Sequence, residues 1–209
     1  MTEKINIWVD PLCPYAWMTA QWMIEVEKVR DIAAQFNIMS LTVLNEDRTD
    51  LSEDYAERMR RGMGPVRVAM AVEQAHGKDG LRAIYLELAK RRHNEGREFS
   101  DELFREALEA AGFDPSLASA ADEDTFDEAI RASHHEGMDP VGSDVGTPVI
   151  HFPNGRGDTT AFFGPVISPA PTGEEAGRLM DGLTIVAGTD GLYELKRSRD
   201  RKPEFLPMP

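Results

Sequence analysis

Trp8-Val9-Asp10-Pro11-Leu12-Cys13-Pro14-Tyr15-Ala16-Trp17 is the stretch on which the reading of this chain turns. The apolar alternation of Ile5, Ile7 and Val9 predicts a short strand leading into it. Pro11 marks a turn, and Pro14 stands where a helix tolerates a missing N–H, at its first position. Cys13 therefore falls at a strand-to-helix junction, facing the unpaired N–H groups and the positive dipole end of the helix. Such a site favours the thiolate, which is the nucleophilic form, and predicts a lowered pKa for Cys13. Three residues on, where a Cys-x-x-Cys site carries its second sulfur, stands Ala16. Cys13 is the only cysteine in the chain.

Outward from this turn, Met18, Trp22, Val26 and Val29 recur at helical spacing and predict a helix from Pro14 to about Phe36. Ile38 to Leu44 then reads as a second strand, closing in the polar run Asn45-Glu46-Asp47-Arg48. Together these make a βαβ unit.

From about Ser52 to Gly137 the pattern is helical almost throughout. Gly64-Pro65 opens one helix, and Leu81, Ile84, Tyr85 and Leu88 mark the buried face of another that ends near Asn94-Glu95-Gly96. Ser100 caps a third with the face Phe104, Ala107, Leu108 and Ala111, stopped at Gly112. Asp114-Pro115 starts a fourth; Phe126, Ala129, Ile130 and Ser133 line a fifth, ending at Gly137. The strand signal returns at Thr147-Pro148-Val149-Ile150-His151-Phe152. It passes through Pro153-Asn154-Gly155-Arg156-Gly157-Asp158 into Thr159 to Gly164, a hairpin pattern. Thr172-Gly173-Glu174-Glu175 has the form of a capping box before a last helix with Leu179, Met180, Leu183 and Ala187 on its face. The basic, proline-bearing tail from Lys196 to Pro209 is expected to be loosely held.

The chain has 209 residues, 41% apolar and 29% charged, as an ordinary globular protein of one or two domains does. A net charge of −14 argues against nucleic acid or an anionic membrane as partner. No apolar run approaches the roughly 18 residues of a membrane span, and no secretory signal core precedes Asp10. One cysteine excludes an intrachain disulfide and suits a reducing cytoplasm.

Strand, thiol turn, helix and strand, a long helical insert, then Thr-Pro before a hairpin and a final helix: this order resembles the DsbA-like group of thioredoxin-fold proteins. Within that group the chain is most similar to the actinobacterial mycothiol-dependent reductases of the mycoredoxin or nitroreductase type. The matching residues are Trp8 to Tyr15 at the turn, Gly146-Thr147-Pro148 before the third strand, and Phe162-Phe163-Gly164-Pro165 behind it. The resemblance covers nearly the whole chain. It implies an α/β thioredoxin fold with a large all-helical insertion, in which residues 1–48 and 142–209 form the thioredoxin-like domain and 49–141 the insertion. It implies a cis bond at Thr147-Pro148 lying against the sulfur, where the backbone pairs with a substrate or thiol cofactor. It implies a thiol–disulfide oxidoreductase that takes electrons from mycothiol or another low-molecular-weight thiol and acts on a disulfide or an electrophilic substrate. In that reading Cys13 is the nucleophile, Pro14, Tyr15 and Ala16 complete the motif, and Trp17, Asn45, Gly146, Thr147 and Pro148 meet the substrate or thiol. Ala16 departs from the dithiol members. A natural monothiol enzyme, an engineered change that traps a mixed disulfide, and a relative that has abandoned redox chemistry all fit that departure; the intact frame favours the first two.

Each of these residues also has a plainer reading. A lone cysteine is most often a small buried hydrophobe. Trp17, Trp22, Met18 and Met23 make either an apolar rim for a ligand or simply core, and Asn45 is either a polar contact for a cofactor or a turn residue. His93-Asn94 faces either the cleft or solvent, solvent being favoured. His134-His135 is either a favourable helix C-terminus or an imidazole assisting the thiol. Neighbouring histidines point about 100° apart on a helix and match no zinc spacing, so no metal is expected. Two rival functions remain: a kappa-type glutathione transferase or hydroxychromene carboxylate isomerase, which usually has serine at the place of Cys13, and a non-catalytic peptide-binding module.

Overall fold

The computed structural model describes residues 2–155 and 157–208, without the side chains at positions 56, 58 and 60. Arg156, in the expected hairpin turn, lies outside the described residues. Strand β1 (Glu3–Val9) is the centre of a four-stranded sheet. It pairs in parallel with β2 (Ile32–Ile38), from Glu3 against Ile32 to Val9 against Ile38. On its other side β3 (Val149–Pro153) runs antiparallel, with Ile7 opposite Ile150, and β4 (Thr159–Phe163) completes the order β2-β1-β3-β4.

β1 is covered on both faces, as an inner strand flanked by helices must be. Ile5, Ile7 and Val9 belong to the main core, while Trp8 points the other way into a smaller cluster with Met39, Met138 and Val149. The main core is continuous, running from Ile5, Trp22 and Phe36 through Val66, Tyr85, Leu103 and Ile130 to Ile150 and Met180. The helices between the two halves of the sheet thus share its core.

Helix α1 (Pro14–Glu27) stops well before Phe36, where sequence periodicity carries it. Ile32-Ala33-Ala34-Gln35-Phe36 is rich in helix formers. It becomes a strand because β1 offers it a parallel ladder, a tertiary choice that overrides local preference. The expected second strand at Ile38–Leu44 is corrected in turn. Ser40 Oγ accepts the N–H of Val43 at 3.3 Å and caps a short helix, α2 (Leu41–Asn45).

Helices α3 (Glu53–Arg61) and α4 (Met63–Ala89) follow, α4 kinking at Gly77, whose φ of 73° only glycine adopts easily. A π-helical turn, Lys90–Asn94, ends it. Ser100 caps α5 (Asp101–Ala110) as expected, its Oγ accepting from Leu103 N–H at 3.2 Å. Asp114 opens a 3-10 stretch, Pro115–Asp122, in place of an α-helix, and α6 (Asp127–Met138) follows. Helix α7 (Gly173–Ala187) packs on α1, where Trp22 Nε1 donates to the Ala176 carbonyl at 3.1 Å. Its capping box does not form: the Thr172 side chain makes no cap, and Glu25 of α1 accepts the Gly173 N–H at 3.2 Å instead.

The tail is held, not loose. Gln21 of α1 both donates to the Leu206 carbonyl (2.8 Å) and accepts its N–H (3.0 Å), and Phe205, Leu206 and Met208 pack against the main core. Paired backbone and buried apolar area outweigh the polar composition on which the expectation rested.

Candidate active site

β1 delivers Asp10, which is 0% exposed, to the start of the turn. Its carboxylate accepts the N–H of Leu12 and the N–H of Leu41, each at 2.7 Å, and its carbonyl accepts the N–H of Cys13 at 3.0 Å. One side chain thus closes the Pro11-Leu12 turn and ties it to α2. Sequence reasoning gave Asp10 no role, although an Asp two residues before a free N–H is a recognised turn former. Burial, the largest influence, pushes its carboxyl up to about 6 against the two N–H groups that favour the anion.

Cys13 is the N-cap of α1, with Pro14 as the first helical residue, and is 8% exposed. The N–H groups of Ala16 and Tyr15 lie on the sulfur's side and favour the thiolate, yet none closes a capping hydrogen bond. The thiol donates instead to the Thr147 carbonyl at 3.4 Å. Burial pushes the Cys13 pKa up to about 12, with the Asp10 charge adding to the rise. The lowered pKa expected from the helix end is therefore corrected: the N–H groups are in place, but desolvation is the larger effect.

Thr147 is itself fixed, 4% exposed, with Oγ1 donating to the Trp8 carbonyl at 3.0 Å. The bond between Thr147 and Pro148 is cis. Ala16 is 0% exposed, in the core beneath the turn. Tyr15 is partly buried, with Arg199 of the tail 5.1 Å over its ring.

Trp17, expected against a ligand, is 0% exposed, and its Nε1 donates to Asn94 Oδ1 at 2.7 Å. Its ring is enclosed by protein and leaves no face for a ligand here. The favoured solvent reading of His93-Asn94 holds for Asn94, which is exposed, and not for His93, which is partly buried. His93 Nε2 donates to the Pro11 carbonyl at 2.9 Å, and Asn94 Nδ2 donates to the Leu206 carbonyl at 2.9 Å. His93 docks on the turn, where burial lowers its pKa to about 4, while Asn94 joins Trp17 of α1 to Leu206 of the tail. His134 assists no sulfur in this arrangement. Its Nδ1 accepts the Ser40 N–H at 3.3 Å, and burial holds the ring neutral, with a pKa near 4.

Asn45 ends α2, not a strand, and is 7% exposed, its Nδ2 donating to the Leu41 carbonyl at 2.7 Å. Asn45 and Gly146 line one cavity of about 200 Å³ together with Arg48, Tyr55, Asp144 and Val145. Gly146 is the residue before Thr147 in the chain, and neither Thr147 nor Cys13 lines the cavity. Arg48 and Tyr55 went unmarked in the sequence, because nothing local ties them to the loop before Thr147.

Residues 12–197 match the family described as Rv2466c-like, mycothiol-dependent nitroreductase Rv2466c. The chain belongs to this family. A Mycobacterium tuberculosis protein, the uncharacterized protein Rv2286c, is 25% identical over 197 residues, covering 93% of this chain and 82% of its own. Among solved structures, the cytosolic disulfide reductase DsbM from Pseudomonas aeruginosa superposes with a TM-score of 0.56 at 14% identity, over 86% of this chain and 98% of DsbM. A 2-hydroxychromene-2-carboxylate isomerase superposes with a TM-score of 0.58 at 11% identity, over 86% of this chain and 94% of the isomerase. The fold of this Rv2466c-like protein is thus the α/β thioredoxin fold of the DsbA-like group. No described helix is long and apolar enough to cross a membrane.

Proposed function

We propose that this protein is a monothiol thiol–disulfide oxidoreductase that uses mycothiol. The observation that carries this reading is Cys13 at the N-cap of α1, with its sulfur against the carbonyl that precedes Pro148, in a chain of the mycothiol-dependent family. As a thiolate, Cys13 attacks the mycothiol sulfur of a mixed disulfide between mycothiol and another thiol. A Cys13–mycothiol disulfide forms, the old S–S bond breaks, and the other thiol leaves as a thiolate that takes a proton from solvent. A second mycothiol thiolate attacks the same mycothiol sulfur, forms mycothiol disulfide and returns Cys13 as thiolate. The balance is one mixed disulfide and one thiol in, one thiol and one mycothiol disulfide out. No internal resolving sulfur is needed, in keeping with Ala16.

The cavity lined by Asn45 and Gly146 supports the choice of thiol. Its walls carry an amide, a guanidinium, a phenol and a carboxylate, which together hydrogen-bond a polyhydroxylated group. At about 200 Å³ it is smaller than the roughly 300–1,000 Å³ of whole small-molecule sites and takes one ring of a sugar-bearing thiol. A lone thiol of this kind works in a reducing compartment such as the cytoplasm.

The test is incubation with mycothiol disulfide followed by intact-mass analysis, beside turnover of a mixed disulfide with mycothiol. The expected result is one mycothiol adduct on Cys13, released by added mycothiol, with both adduct and turnover lost in Cys13→Ser. Neither adduct nor turnover would overturn the proposal, and conjugation or isomerisation without an adduct would favour the isomerase-type reading.

A further inference from the structure

The thiol turn is gripped on both sides of its sulfur by groups that belong to the C-terminal tail or lean on it. Two residues before Cys13, the Pro11 carbonyl accepts the Nε2–H of His93 at 2.9 Å, and the Phe205 ring packs 5.5 Å from that imidazole. Two residues after Cys13, the Arg199 guanidinium lies 5.1 Å over the Tyr15 ring. Four residues after it, Trp17 Nε1 donates to Asn94 Oδ1 at 2.7 Å, and Asn94 Nδ2 donates to the Leu206 carbonyl at 2.9 Å. His93 and Asn94 are neighbours in the π-helical turn Lys90–Asn94, and their tail partners Phe205 and Leu206 are neighbours too. Such π-helical turns are frequent at functional sites.

The fastening of the tail itself is slight. Gln21 of α1 meets both backbone groups of Leu206, at 2.8 and 3.0 Å. Ser168 Oγ donates to the Lys202 carbonyl at 2.6 Å and accepts the Glu204 N–H at 3.1 Å. Ahead of these two clasps, residues 193–202 run exposed. Other groups along the turn are harder to move. Ala16 and Trp17 are fully buried in α1, and Thr147 is buried before β3 and tied to the Trp8 carbonyl. A chain end held by a few hydrogen bonds opens at lower cost than a helix or strand seated in the core. Lifting the tail is therefore the easiest way to uncover Cys13, which is 8% exposed.

We propose that residues 199–208 form a strap over the thiol turn: docked, they hold Pro11, Tyr15 and Trp17 and keep Cys13 shielded, and lifted, they let the turn open and the sulfur meet its partner. The strap deepens the proposed function and rests on Cys13 as the nucleophile. It supplies the opening step that so enclosed a sulfur needs before a disulfide reaches it.

The experiment is alkylation of Cys13 by iodoacetamide in the full chain, followed by intact mass at a fixed pH of about 9, where more of the thiol is ionised. No mycothiol or substrate is present, so a failure of disulfide exchange leaves this readout intact. Asn94→Asp keeps the acceptor for Trp17 and replaces the donor to Leu206 with an oxygen. Gln21→Met keeps the side-chain length and removes both bonds to Leu206. The two changes together should speed alkylation about tenfold, the effect of losing neutral hydrogen bonds from the closed state. Amide hydrogen exchange across residues 204–208 should quicken with it. Ser168→Ala loosens the other clasp, away from α1 and Asn94, and should raise the alkylation rate as well. A rate unchanged or lowered in the double variant would overturn the proposal, whether or not the tail exchanges faster. A rise confined to the double variant and absent from Ser168→Ala would place the effect in α1 and overturn it too.

Discussion

The Cys13 thiol donates to the Thr147 carbonyl at 3.4 Å, although 134 residues separate the two in sequence. A carbonyl oxygen suits S–H and repels S⁻, so the resting contact stabilises the protonated form, as burial does. The same contact places the sulfur where an incoming disulfide would meet the backbone before Pro148. On the proposed mechanism, resting state and reactive state make opposite demands on one carbonyl, and the sulfur must be wetted or displaced before it attacks.

Slow alkylation of the unliganded protein at pH 7 is the first consequence. With the thiol pushed up to about 12, the thiolate fraction is small, and the rate should climb roughly tenfold per pH unit through pH 9 without levelling. A plateau reached below pH 7 would show that the helix N–H groups outweigh burial after all.

Ala16→Cys puts a sulfur three residues after Cys13, on the first turn of α1. The mycothiol adduct on Cys13 should then fail to accumulate, because the new thiol expels mycothiol and leaves an internal disulfide. Intact mass before and after alkylation distinguishes the two products. Persistence of the adduct in the variant would mean that position 16 cannot reach the sulfur.

Acid should weaken the fold through His134. Its folded pKa, near 4, lies below its unfolded value, so the unfolded chain takes up a proton first as pH falls. The associated stability is present above about 6.5 and is lost as pH drops toward 4. His134→Asn keeps an acceptor for the Ser40 N–H and does not titrate, so its urea midpoint should fall less between pH 7.5 and 5 than that of the parent. Equal falls would remove His134 from the account. Asp10, raised to about 6, acts in the opposite direction over the same range and is present in both proteins.

Gly137→Ala tests how closely α6 approaches β1. A Cβ there would stand 2.3 Å from Trp8 Cγ, in a ring also fixed by its Nε1 donating to the Ser133 carbonyl at 2.8 Å. On an exposed helix this change gains about 1 kcal/mol. Here overpacking of about 1–3 kcal/mol should win, lowering the denaturant midpoint at unchanged slope. A raised midpoint would mean that the Trp8 ring yields freely.

Much of the site was legible because its signals are local. Pro14 after Cys13 places a helix start, Ser100 reads as a cap, and Thr147-Pro148 reads as a strand entry, all within a few residues. Errors arose where distant partners decide. Ala33, Ala34 and Gln35 prefer a helix until β1 pairs with them, and Thr172 loses its capping role to Glu25, 147 positions earlier. Leu206 is fastened by Gln21 and Asn94, and no composition rule for a basic tail registers that.

The sequence by itself determined a strand ending in Asp10-Pro11, a single sulfur at a helix start, and no second sulfur at position 16. These are facts of covalent order and backbone chemistry, and they hold in any packing. Only the tertiary structure decided the state of that sulfur. Its pKa depends on how much water is excluded, on the Asp10 charge and on the Thr147 carbonyl, quantities set by atoms brought together from opposite ends of the chain. Local N–H groups act over one helical turn, whereas desolvation sums over the whole enclosure, and here the enclosure is the larger effect.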